Sequence, residues 1–132
     1  MGTDDNSYRI LIVDDEAGIR KILKLFLELE GYKVYEAVSG LQAQQIVKKE
    51  KPHLIILDVV LCGVTGFEVC EWVKKNPETK DIIVILFTAL NQDHDYKEAQ
   101  RVNSDYYMTK PQNPKAIIEK VKEYLNKKDS SM

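Results

Sequence analysis

At 132 residues, 44% of them hydrophobic and with no long low-complexity run, the chain suits one globular domain able to bury a core. Nineteen basic and 21 acidic residues, spread along the chain to a formal net charge of -2, leave no basic stripe, so direct contact with nucleic acid is not expected. No apolar leader or membrane-length run is present, and Cys62, Cys70, His53 and His94 fit neither a zinc nor a disulfide pattern, so a cytoplasmic protein with no membrane contact is expected.

Short apolar runs rich in β-branched residues alternate with segments of helical spacing, the pattern of a parallel α/β sheet. The first run, Tyr8 to Val13, precedes Ile19, Ile22, Leu23, Phe26 and Leu27, which repeat at helical spacing up to Gly31, a residue suited to the left-handed close of a helix. A second run, Lys33 to Val38, is followed by Ser39 and Gln42 at capping-box spacing, which starts a second helix. The third run, His53 to Leu57, precedes Thr65 and Glu68 at the same spacing, with the helix ending near Asn76-Pro77. After Ile82 to Phe87, Tyr96, Ala99 and Val102 give a fourth helix only a thin apolar stripe. After Asp105 to Met108, Asn113-Pro114 caps a fuller one carrying Ile117, Ile118, Val121, Tyr124 and Leu125. The domain is expected over 8–126, with 1–7 and 127–132 as polar, flexible ends.

Doubly wound sheets place ligands beyond the carboxyl ends of their strands, and the chemistry-bearing residues fall there. Asp14, Asp15 and Glu16 follow the first strand, Asp58 the third, Thr88-Ala89 the fourth and Lys110-Pro111 the fifth. With the first and third strands adjacent, the acids form an anionic cluster that raises its own pKa values unless a cation compensates, and Mg²⁺, or Mn²⁺ in its place, suits such oxygen donors. A phosphoryl group in transfer is stabilised by metal, ammonium and hydroxyl donors, which makes Lys110 and Thr88 the donors and Asp58 the nucleophile.

The segments Leu11-Ile12-Val13-Asp14-Asp15-Glu16, Leu54-Ile55-Ile56-Leu57-Asp58, Phe87-Thr88-Ala89 and Tyr107-Met108-Thr109-Lys110-Pro111 resemble, in order and spacing, the signature of bacterial two-component receiver domains. The resemblance, strongest to chemotaxis-regulator-like receivers, implies a flavodoxin-like (βα)5 fold with strand order 2-1-3-4-5. It implies Asp58 as phosphoacceptor, and Asp15, Asp58 and the Val60 backbone carbonyl as metal ligands. Asp14 completes the acidic pocket through water, Lys110 pairs with the phosphoryl oxygens, and the Lys110-Pro111 bond is cis. Thr88 and Tyr107 form the switch, with Tyr107 filling the space that Thr88 leaves on phosphorylation. The implied phosphodonor is a sensor histidine kinase or a phosphotransfer protein, docking near the first helix and the rim loops. Output then goes to a downstream protein target or an effector domain through the fourth helix, fifth strand and fifth helix. Such a protein is a regulator that assists its own phosphorylation and dephosphorylation, not an enzyme.

Cys62 stands where the family usually has proline, Thr65 where it commonly has Asp, and Asn103 where it commonly has Gly, a substitution Asn tolerates in left-handed geometry. Val60 and Leu90, two residues past Asp58 and Thr88, cannot orient an attacking water, so slow loss of phosphate is expected. The competing readings are a degenerate receiver acting as a phosphorylation-independent binding module, a flavodoxin-type cofactor protein, and an Asp-nucleophile hydrolase of the haloacid dehalogenase type. The intact acid, hydroxyl and lysine set opposes the first. Asp14-Asp15-Glu16 would repel a flavin phosphate, and Val60 stands where the hydrolase needs a second Asp.

Overall fold

The computed structural model describes residues 7–130. Five strands, β1 (Arg9–Val13), β2 (Lys33–Ala37), β3 (Leu54–Leu57), β4 (Ile83–Thr88) and β5 (Tyr106–Thr109), alternate with five helices. These are α1 (Ala17–Leu29), α2 (Gly40–Glu50), α3 (Gly66–Lys75), α4 (Asp93–Arg101) and α5 (Pro114–Ser130). All strand pairs are parallel and the order is β2-β1-β3-β4-β5, so the expected doubly wound topology is present.

Strand side chains alternate between two cores because successive residues point to opposite faces. Leu11, Val13, Ile55, Leu57, Val84 and Leu86 pack with Ala43, Val47, Val69, Val73, Ala99 and Val102 of α2, α3 and the α4 end. Ile10, Ile12, Leu54, Ile56, Ile85 and Phe87 pack with Leu23, Leu27, Ile117, Val121 and Leu125 of α1 and α5. A strand buried on both faces reads as an unbroken apolar run, which is why β3 and β4 stand out in the sequence.

The helix boundaries follow local chemistry. Ser39 Oγ accepts the Gln42 amide at 3.1 Å to start α2, and Thr65 and Glu68 exchange side-chain and backbone bonds in a capping box that starts α3. Gly31 (φ 92°) and Asn103 (φ 63°) take the left-handed turns after α1 and α4. Strand ends fall within a residue of expectation, and one boundary differs by more. α5 continues past residue 126 to Ser130, because Tyr8 donates to the Asp129 carboxylate and Lys128 Nζ donates to the Asp81 carbonyl at 3.0 Å. Of the expected flexible ends, residues 1–6 and 131–132 lie outside the described residues. No helix among the described residues is long and apolar enough to cross a membrane.

Candidate functional site

The strand order puts β1 and β3 side by side, with Val13 opposite Leu57, so the residues that leave these strands share one rim. The Asp58 amide donates to the Val13 carbonyl at 2.9 Å, and the Asp14 amide donates to the Ala37 carbonyl at 3.1 Å. Both carboxylates are thus anchored through their own backbone, and both residues are buried, Asp14 to 2% and Asp58 to 4% exposure. Asp15 and Glu16, next along the chain, are exposed. One carboxylate oxygen from each of Asp14, Asp15, Glu16 and Asp58 lies within 4.8 Å of the others.

Among the described residues, one ammonium faces this cluster. Lys110 Nζ lies 2.8 Å from Asp14 Oδ2, 3.0 Å from Asp58 Oδ2 and 3.0 Å from Glu16 Oε1. Its backbone N–H donates to the Thr88 carbonyl at 2.8 Å, and its peptide bond to Pro111 is cis. Burial acts to lower the Lys110 pKa, but its hydrogen bonds to Asp14, Asp58 and Glu16 outweigh burial and raise it. Asp14 is raised because burial outweighs its hydrogen bonds with Lys110 and the Glu16 amide. Four carboxylates against one ammonium leave a local formal charge of -3, taken as one minus four over the same five residues. Hard oxygen donors with that surplus charge fit a divalent cation.

The loop after β3 is drawn tightly over Asp58. The Val60 amide donates to Asp58 Oδ1 at 3.2 Å, and the Gly66 amide donates to the Val59 carbonyl at 2.9 Å. A methyl group on Gly66 would collide with the Asp58 carbonyl oxygen and stand 2.7 Å from the Val59 Cα, so this crossing requires glycine.

Thr88 is wholly buried, and its Oγ1 accepts the Leu90 amide at 3.4 Å. The Tyr107 hydroxyl donates to the Leu90 carbonyl at 2.7 Å, so Leu90 ties the two expected switch residues together. The Tyr107 ring lies against Tyr96 of α4 at 4.6 Å between centroids. Burial, together with the nearby Asp95 charge, pushes the Tyr107 hydroxyl up to about 12.

Two features of this region escaped the sequence reading. Glu16 was placed in the acid run but not in contact with Lys110, because nothing local links residues 94 positions apart. Asp95, buried to 5% beneath the α4 start, accepts the Gln92 amide at 3.0 Å, and the Gln92/Asp95 spacing was the available signal. The cysteines are ordinary: Cys62 is exposed on its loop, and burial pushes the Cys70 thiol up to about 12.

The response regulator receiver domain family matches residues 10–122. The DNA-binding dual master transcriptional regulator RpaA of Synechocystis is 36% identical over 121 residues, covering 92% of this chain and 50% of the relative. The phosphate regulon transcriptional regulatory protein PhoB of Pseudomonas aeruginosa is 37% identical over 118 residues, 89% of this chain and 52% of its own. The crystal structure of a CheY-like receiver domain protein from Methanospirillum hungatei superposes with a TM-score of 0.90 at 29% identity, covering 96% of this chain and 99% of that one. This chain spans about half the length of the curated relatives it matches. These relatives correct the expectation that nucleic acid has no place among the partners: it rested on the charge balance of one domain, whereas RpaA is a DNA-binding regulator and PhoB a transcriptional one. The chain belongs to the response regulator receiver domain family of two-component signalling.

Proposed function

We propose that this domain accepts a phosphoryl group on Asp58 and relays that event through Thr88 and Tyr107. The observation that carries the reading is the Lys110 ammonium held 3.0 Å from a buried Asp58 carboxylate at the edge of a four-acid cluster. In the transfer step an Asp58 carboxylate oxygen forms a bond to phosphorus while the donor's bond to phosphorus breaks. The electron pair of that bond leaves with the donor, as acetate from acetyl phosphate or as the imidazole nitrogen of a phosphohistidine. Lys110 balances charge on the phosphoryl oxygens. Asp15, Asp58 and the Val60 carbonyl would hold Mg²⁺, with Asp14 beside it. The bound ion supplies further neutralisation of that charge.

The switch has a physical path. When the Thr88 hydroxyl turns toward the phosphoryl group it releases the Leu90 amide, and Tyr107, bonded to the same residue's carbonyl, feels the change. A protein phosphodonor is favoured by α1, where Ile22, Leu25 and Leu29 are 47%, 57% and 72% exposed along the helix that starts at the acid rim. The transcriptional regulators among its relatives favour an output read by a DNA-binding portion or partner. Val60 and Leu90 carry no group to aim water at the acyl phosphate, so the phosphorylated form should outlast seconds in neutral Mg²⁺ buffer.

The test is intact-mass measurement after incubation with acetyl phosphate, with and without Mg²⁺. Wild type gains one phosphoryl group only with the metal, and Asp58→Ala gains none. An unmodified wild type would leave the binding-module reading in its place.

A further inference from the structure

Lys110 has three N–H donors, and in this structure all three have a carboxylate: Asp14, Asp58 and Glu16. A phosphoryl oxygen can reach the ammonium only when one of these lets go. Asp14 and Asp58 have side chains 3% and 5% exposed and sit on backbone locked to the strand ends, whereas the Glu16 side chain is 61% exposed.

Glu16 also forgoes the role its position offers. It is the N-cap of α1, yet its side chain makes no capping bond, and no other acid lies in the first turn of that helix. Its backbone amide is held at 2.9 Å by Asp14 Oδ1, which leaves the carboxylate free to lie on Lys110. There it edges a hollow of about 450 Å³ lined by Ile19, Phe87, Ala89 and Pro111, open beside the ammonium.

We propose that Glu16 is a displaceable counter-ion of Lys110 that restrains phosphoryl uptake. It occupies the ammonium in the resting state and, once displaced, repels the anionic donor and the new phosphoryl group. This rests on Asp58 being the phosphoacceptor. Glu16 is a positioning residue: the bond-making and bond-breaking at phosphorus are unchanged by it, and it sets how readily Lys110 takes part.

The experiment compares the rate of phosphorylation by acetyl phosphate, in saturating Mg²⁺, for wild type, Glu16→Gln and Glu28→Gln. Glu28 is an exposed acid on α1 roughly 18 Å further along the helix and controls for net charge. Glu16→Gln is expected to react about fivefold faster at low salt, the scale of one exposed ion pair. The gain should shrink at high salt, where exposed charges are screened, and Glu28→Gln should match wild type. A merely structural role would alter the melting temperature and leave no salt dependence in the rate ratio. Glu16→Gln reacting no faster than wild type, or Glu28→Gln gaining equally, would overturn the proposal. A wild type that takes up no phosphate overturns the phosphoacceptor reading itself, and the two failures are thereby told apart.

Discussion

At the amino-terminal edge of the sheet charged side chains find backbone partners, whereas at the carboxyl edge four carboxylates crowd one ammonium. Arg9 at the foot of β1 donates from Nε to the Glu50 carbonyl at 3.0 Å and from Nη2 to the Lys51 carbonyl at 2.8 Å. His53 Nδ1 accepts the Arg9 amide at 3.0 Å, and Lys74 Nζ donates to the Ile82 carbonyl at 2.6 Å and to Asp105 at 2.7 Å. These side chains tie neighbouring strand and helix ends together through hydrogen bonds, which is what a scaffold requires. The carboxyl edge keeps surplus negative charge among buried groups, and such unrelieved electrostatics mark the end built to bind and react.

Gly66→Ala drives a methyl into the backbone of Asp58 and Val59, and is expected to cost about 2–3 kcal/mol. Chemical denaturation reads that loss. The same variant should be phosphorylated more slowly even where it is fully folded, because the peptide of the proposed acceptor, Asp58, must shift.

Removing a polar group should then have opposite signs at the two edges. His53→Ala deprives the Arg9 amide of its acceptor and should destabilise by about 1–2 kcal/mol. Burial, aided by the Arg9 charge, lowers the His53 pKa, so the folded state resists its protonation. Its contribution is therefore complete above the ordinary histidine value of about 6.5 and falls away as pH drops below that toward the lowered one. Denaturation midpoints across this range should slope downward with acid in wild type and flatten in His53→Ala. Equal slopes would sink this account of the amino-terminal edge.

Asp14→Asn, by contrast, should stabilise the protein in a chelator by on the order of 1 kcal/mol, since it removes a buried charge whose ionisation burial opposes. Saturating Mg²⁺ should narrow or reverse that advantage. A chelator-treated Asp14→Asn less stable than wild type would show that the carboxyl edge is no more strained than the other.

The sequence disclosed the two edges unequally. Strands β3 and β4 were legible to within a residue at each end because burial on both faces demands consecutive apolar residues. The acids were placed correctly on the rim because topology alone brings strand ends together. The Glu16 to Lys110 bond was hidden, since long side chains choose partners by proximity in the fold and leave no periodic trace. The last turn of α5 reads as a polar tail, and the bonds that Tyr8 and the Asp81 carbonyl make to it come from residues distant in the sequence.

The proposed switch requires that, among four neighbouring carboxylates, Asp58 is the one that reacts. Peptide-level mass mapping of the acetyl phosphate-treated protein tests it most directly. An acyl phosphate is expected on the peptide containing Asp58, formed with Mg²⁺ and missing in chelator. Label on Asp14, Asp15 or Glu16 instead, or label at Asp58 that ignores the metal, would contradict it.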